Sequence, residues 1–330
     1  NGSSYDDFVL QNFVAGTELV LKNLDSVTVT GKADTASDAL KIVSYAEYGF
    51  YLNTLGYEKL ELNVQGFTTA NAASVYLENL SEKTALVVTG GAGESLINIM
   101  DAYSGYAENL SSVDASNFAG RMSLRLDDAE FKPGLTVTGT SGADEIYVEA
   151  GRYTVDAGNG DDRFVISSVS YYASTVSQHV LTGGAGNDLF VFDNIAYDNI
   201  RARITDLDLG TSLTSADRID IAGSYADGAS LTDAQIDVYT GGSTSALADA
   251  RVLVLNDGRY ADATDVLSNV RTLGIEKGSL TVFWADQGGT VHMSAVTSPT
   301  SSYGDIYELA ALTNLTIQGV AQNLDYTDFV

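Results

Sequence analysis

Nine residues from Gly183 to Val191, Gly-Gly-Ala-Gly-Asn-Asp-Leu-Phe-Val, place glycine at positions one, two and four, aspartate at six and a large apolar side chain at eight. Two looser copies lie upstream. Ala157–Val165 departs only at the first glycine, and Gly139–Tyr147 departs at the second. Asp162 follows Asp144 by 18 residues, twice nine. Asp188 follows Asp162 by 26, with a polar, Tyr-rich insertion from Ser167 to Ser177 absorbing the excess. A nonapeptide of this kind is a glycine turn followed by a short strand, and two of them close one coil of a parallel β-solenoid. One copy alone would be compatible with a tight hairpin; three in register point to stacked coils.

The pattern assigns each position a task. The glycines allow backbone angles that a side chain opposes. The apolar residues Ile146, Phe164 and Phe190 point inward, each stacking on its counterpart in the next coil. Asp144, Asp162 and Asp188 then form a ladder of carboxylates along one edge, which repels itself unless a cation lies between the rungs. Carboxylate and carbonyl oxygens suit Ca²⁺ better than a soft-ligand metal. These motifs resemble the calcium-binding β-roll of RTX proteins, which are exported by type I secretion systems. The resemblance implies a set of ions held by Asp144, Asp162 and Asp188 and by turn carbonyls near Gly142, Gly158, Gly160, Gly184 and Gly186. Thr140, Asp161 and Asn187 lie in the same turns and complete the candidate set.

Composition narrows the function. Lys plus Arg number 17 against 44 Asp plus Glu, a net charge of −27, which excludes nucleic acid and anionic membrane surfaces as partners. A hydrophobic content of 45% excludes a disordered acidic tail. With no cysteine there is no disulfide, thiolate metal site or cysteine nucleophile. No stretch approaches the ~18 apolar residues of a membrane span. The chain opens Asn1-Gly2-Ser3-Ser4-Tyr5 without Met or a signal peptide, and reads as a fragment or processed product.

Three regions follow. Residues 1–138 read as an irregular β-solenoid, with strands at Leu19–Leu21, Val27–Thr30 and Lys59–Val64, and a decayed turn that puts Asp34 or Asp38 in the ladder position. Gly90-Gly91-Ala92-Gly93-Glu94-Ser95 keeps the turn glycines but has Ser95 where aspartate belongs, so the backbone shape is expected without the carboxylate. Residues 139–200 are the β-roll. Residues 201–330 form a small β-rich capping and secretion-signal region. In it, Asp206, Asp208 and Asp220 either hold a further ion or cap the open end of the solenoid. A helix is expected from Asp262 to Leu273, stopped by Gly274, with strands at Val252–Leu255, Leu280–Trp284 and Thr290–Met293. The terminal Leu324-Asp325-Tyr326-Thr327-Asp328-Phe329-Val330 resembles the uncleaved export signal of type I substrates. The predicted class is all-β: a parallel β-solenoid with a β-rich C-terminal cap.

An irregular Thr/Gly/Asp-rich solenoid leading into such coils is similar to the calcium-dependent S-layer proteins of Gram-negative bacteria. The likeness is carried by Val113-Asp114-Ala115-Ser116, Phe118-Ala119-Gly120 and Leu135-Thr136-Val137-Thr138-Gly139. It implies a secreted, cell-surface structural protein that self-assembles into a two-dimensional array, with calcium, its own copies, the type I machinery and possible cell-surface polysaccharide as partners. Alternatives are the folding and secretion module of an enzyme whose catalytic domain lies upstream, or a calcium-dependent adhesin. No His-Glu-x-x-His, Gly-x-Ser-x-Gly or P-loop pattern occurs, so the chain is read as non-catalytic. Arg121, Arg125 and Arg152 beside Asp127 and Asp128 are the one constellation resembling a polysaccharide-cleaving site, and surface ion pairing with the acidic turns is the preferred account of them. His179 and His292 are read as structural. Among the tyrosines, Tyr45, Tyr48, Tyr51, Tyr171 and Tyr172 are either contact residues or aromatic rungs.

Overall fold

The computed structural model describes residues 7–22, 26–31, 38–45, 49–66, 72–80, 83–102, 107–126, 134–149, 151–167, 178–193, 201–210, 217–221, 236–242, 247, 250–275, 278–299, 305–324 and 328–329. The fold is all-β, a parallel β-solenoid of about seven turns with two short helices among the described residues. The chain divides into two compact units, 1–164 and 165–330.

In the first unit every strand pairs in parallel with the equivalent strand of the next coil, which gives two faces. One face runs β1 (Asp7–Phe13), β3 (Ser26–Gly31), β5 (Phe50–Leu55) and β7 (Ala72–Glu78), then the second halves of β8 (Thr84–Asp101) and β9 (Leu110–Arg125), then β11 (Glu145–Val148). The other runs β2 (Glu18–Leu21), β4 (Ala39–Ser44), β6 (Lys59–Val64), the first halves of β8 and β9, β10 (Leu135–Thr138) and β12 (Tyr153–Asp156). The expected strands of residues 1–138 are all present. β8 changes face at Gly90–Gly93, the glycine turn recognised in the sequence.

Register explains why the coils stack. Leu40, Leu60, Leu86, Val113, Val137 and Val155 are consecutive partners, all buried. Across the core, Phe50, Val75, Ile99, Leu124 and Ile146 form a second buried row. Each such side chain contributes about 1.5–3 kcal/mol relative to exposure. A one-residue slip would turn a whole row outward, so apolar alternation enforces the register. Tyr51 and Tyr76, also partners, stack at 4.7 Å and 19° on the outer surface, which makes Tyr51 an aromatic rung. Tyr45 takes the Lys22 ammonium over its ring at 5.1 Å. Tyr48, Tyr171, Tyr172, Asp34, Asp127 and Asp128 lie outside the described residues, and Arg125 lies over the Tyr147 ring.

β13 (Arg163–Ser167) spans the division between the units. In the second unit, β14 (Gln178–Thr182) pairs in parallel with β16 (Arg201–Ile204), and β15 (Leu189–Asp193) with β17 (Arg218–Ile221). Both outer edges of this last coil are covered by residues near the end of the chain. β22 (Ile306–Leu312) pairs with β16, and Phe329 bridges to Ile219 in β17. The expected cap exists, but it is built from strand and tail as well as acidic turns, and it hides edges that would otherwise template pairing. Phe329, in the segment read as an export signal, also meets Phe283 edge-on.

The rest of this unit is a mixed sheet in which β18 (Ile236–Tyr239), β19 (Val252–Leu255) and β20 (Ser279–Ala285) are parallel, and β20, β21 (Val291–Thr297) and β22 antiparallel. The expected helix is α1 (Ala263–Val270). Its N-cap Asp262 accepts from Asp265 N–H, and Gly274 stands beyond its end at φ +69°. Val266, Leu267 and Val270 pack with Leu253, Leu255, Leu280, Val282 and Trp284 in one core. The second helix, α2 (Ile317–Asn323), was not anticipated; its seven residues offer few apolar positions, of which Ile317 and Val320 are buried.

His179 sits on the inward row of β14, opposite Ala202, and is 1% exposed. Burial depresses its imidazole to about 4, against an ordinary value of 6.5. Above about pH 6.5 it is neutral whether folded or not and has no effect on stability. Below that, the unfolded chain takes up the proton first, so stability falls with pH until about pH 4, by about 3 kcal/mol. The expected outcome is a melting temperature that drops more steeply between about pH 7 and pH 4.5 in wild type than in His179→Leu, measured by circular dichroism.

Candidate metal centre at the glycine turns

The ladder aspartates are buried: Asp144 is 2% exposed, Asp162 and Asp188 1% each. Each stands one residue before a strand, where the chain leaves its glycine turn. Asp144 Oδ2 accepts from Thr140 N at 2.7 Å, tying the turn to itself. Its Oδ1 accepts from Met122 N at 2.6 Å, reaching into the preceding coil. Thr140 Oγ1 lies 2.7 Å from both Asp144 Oδ1 and Gly120 O, and accepts from Gly142 N at 3.0 Å. One coil on, Asp162 Oδ1 accepts from Asp144 N at 2.7 Å. A carboxylate of one rung thus receives the backbone N–H of the rung before it. Beside it, Arg163 N donates to Asp144 O, and the Arg163 guanidinium pairs with Glu145 at 2.8 Å on the surface.

The second unit repeats the device with a residue that the sequence reading did not select. Asp188 N donates to Asp217 Oδ1 at 2.9 Å, and Asp217 Oδ2 accepts from Asp208 N at 2.9 Å. Asp217 is 4% exposed and occupies the ladder position for β17. A signal for it was present. Asp144-Glu-Ile-Tyr-Val, Asp162-Arg-Phe-Val-Ile, Asp188-Leu-Phe-Val-Phe and Asp217-Arg-Ile-Asp-Ile share Asp followed by apolar residues two and four places on. The missing glycine turn before Asp217 concealed it. Asp206 receives Gly183 N at 3.0 Å and Gly184 N at 2.8 Å, and Asp208 receives Gly210 N at 2.8 Å, so both stabilise turns of the last coil. Asp217 is bonded to Asp208 and near enough to Asp206 to feel its charge, and Asp220 lies within β17 opposite Val191. Asp161 is on the surface and Asn187 half-buried in their turns. Asp38, an alternative ladder candidate, receives Glu58 and Lys59 N–H on its backbone carbonyl.

Glycine is required here for two reasons. Gly158 and Gly160 adopt φ +107° and +122°, as do Gly184 and Gly186 at +103° and +150°. Gly139, Gly142 and Gly183 have no such angle and are held small by close approach. A Cβ on Gly139 would sit 2.2 Å from Ala157 O, one on Gly142 2.6 Å from Gly120 O, and one on Gly183 2.1 Å from Asp188 Oδ2. At Gly139 and Gly142 a carbonyl of a neighbouring coil presses against the glycine, and at Gly183 the Asp188 carboxylate of the same turn does so. In the decayed turn, Ser95 is buried and accepts from Ala92 N at 2.6 Å, a neutral replacement for the aspartate–turn bond.

Burial pushes the Asp144 carboxyl up to about 6 despite the Thr140 and Met122 donors. Asp217 is likewise raised to about 6, by burial first and by the charges of Asp206 and Asp208 as well, against the pull of the Asp188 and Asp208 N–H groups. A buried carboxylate of this kind is stabilised by a proton or by a cation. Among the described residues no three His, Asp or Glu side chains converge on one point, so a metal here would take backbone carbonyls as most of its ligands. The donors at the turns are all oxygen, carboxylates beside crowded carbonyls, which fits a hard cation in kind. No protein-family model matches this chain, and comparisons with curated proteins and with solved structures find no match.

Replacing Asp217 by Ala leaves the Asp188 and Asp208 N–H groups without this acceptor and should cost roughly 2–4 kcal/mol in millimolar calcium. Asp156→Ala, on the exposed side of β12, should stay within about 0.5 kcal/mol. Urea unfolding of the two variants measures both.

Proposed function

We propose that this chain is a secreted, calcium-folded structural module, the C-terminal part of a surface-layer subunit of RTX type exported by type I secretion. The observation that carries the reading is the row of buried aspartates at successive glycine turns, a placement unfavourable for bare carboxylates and suited to a bound divalent cation. The residues that would hold calcium are Asp144, Asp162 and Asp188 with the carbonyls of the turns around Thr140, Gly142, Gly158, Gly160, Gly184 and Gly186. Asp217, with Asp206 and Asp208, extends the set to the final coil. Bound calcium supplies neutralising charge, and its binding free energy adds to folding. At low cytosolic calcium the carboxylates favour the unfolded chain, a state suited to export; outside the cell the coils close.

The closed end formed by β22 and Phe329 agrees with a C-terminal module, since a solenoid must end in a cap to stay soluble. We assign the chain no catalytic role. Its partners on this reading are calcium, further copies of itself in an array, and the export machinery, with a cell-surface polysaccharide as the anchoring ligand.

Calorimetry in millimolar calcium and in excess EGTA tests the proposal. Each site held at 100 times its dissociation constant adds about 2.7 kcal/mol, so several ions should raise the melting temperature by well over 10 °C. An unchanged melting temperature would remove calcium from the account. Negative-stain microscopy of the calcium-loaded protein should show sheets; calcium-dependent folding without sheets would favour a secretion module or an adhesin.

A further inference from the structure

We infer that His292 is a charge-operated latch that fastens β22 over the edge of the last coil. The imidazole lies on β21 and touches both neighbouring strands. Nδ1 is 2.8 Å from Glu308 Oε1 on β22, and Nε2 is 3.4 Å from Asp286 Oδ2 just beyond β20. Its ring stacks on Trp284 of β20 at 4.3 Å and 16°. The charged groups that face this cluster are Asp286, Glu308 and Arg259, whose guanidinium lies against Gly289 in the β20–β21 turn. Asp286 is further held by Thr290 N–H at 2.8 Å.

The geometry demands a charged imidazole. Ionised carboxylates only accept hydrogen bonds, so both ring nitrogens satisfy their partners only when both carry protons. A neutral ring keeps one of the two contacts and turns a lone pair toward a carboxylate in the other. Burial pulls the His292 value down, but Glu308 first and then Asp286 outweigh it and leave the value raised. The stability contributed by the latch is therefore complete below the ordinary imidazole value of about 6.5 and is lost as pH rises through the raised value.

What the latch holds is set by topology. β22 joins β21 on one side and covers β16 on the other, through Ala310, Ala311 and Leu312. The β21–β22 register slips between Met293 and Ser294, beside the Glu308 contact, so the backbone ladder is interrupted where the side-chain bond acts. Loss of the charge loosens the strand that seals the solenoid and exposes a pairing edge at alkaline pH. This inference is independent of the calcium reading.

Trp284 is the single tryptophan of the chain, and an imidazolium stacked on an indole quenches its emission. With the full chain at constant calcium, Trp emission should rise with pH at a midpoint above about 6.5. Over the same range the amides of β22 and β16 should lose about tenfold in hydrogen-exchange protection after correction for intrinsic rates. His292→Phe should abolish both pH steps. Glu308→Gln, which preserves shape, should lower the emission midpoint and reduce β22 protection already at acid pH. A midpoint at or below 6.5, or a β22 protection profile that is the same in wild type and Glu308→Gln, overturns the latch.

Discussion

A buried aspartate that accepts the backbone N–H of the neighbouring coil is the constraint around which the regular part of this solenoid is arranged. Parallel coils are joined strand to strand by their ladders, but the turns between strands leave amides that no ladder reaches. At Asp144, Asp162 and Asp217 a carboxylate takes those amides, and it does so from inside the fold. The same placement creates the electrostatic problem. Desolvation raises Asp144 and Asp217 to about 6, so the groups that hold the turns together also favour protonation or a counter-ion. Where the charge is absent, at Ser95, the turn is still tied but nothing calls for a cation.

The apolar rows and the carboxylate ladder divide the work. The rows provide most of the burial and impose register, since each strand has a single way to keep its apolar side inward. The ladder controls the turns, whose glycines must bend the chain and admit the carbonyls of the next coil at once. The end of the stack needs a third element. In the second unit β22 and Phe329 close it, drawing on residues far along the chain from the coil they cover. The two histidines fall into this scheme with opposite behaviour. His179, buried on an inward row, is kept neutral by desolvation; His292, between Asp286 and Glu308, fulfils its contacts only when charged.

Much of this was legible in the residues because the signals are local and periodic. The nonapeptides located the turns, alternation located β2, β3 and β6, and an N-cap aspartate with a following Gly274 located α1. Asp217 and β22 are among the features that escaped. Asp217 lacks the preceding glycine turn and becomes a rung only because β17 pairs with β15, beyond an intervening segment whose length conceals the repeat. β22 was missed because Ile-Tyr-Glu-Leu-Ala-Ala-Leu at 306–312 carries no strong alternation and is rich in residues that suit a helix as well as a strand.

By itself the sequence determined an all-β stack of coils with glycine turns, an inward apolar row and a row of aspartates, because spacing and side-chain chemistry suffice for each. Only the tertiary structure decided that those carboxylates are buried, that Asp217 takes the amides of Asp188 and Asp208, and that the last coil is sealed by β22. The reason is physical: burial, hydrogen-bond direction and edge coverage depend on which distant strand arrives alongside, and the local pattern of a strand does not name its partner.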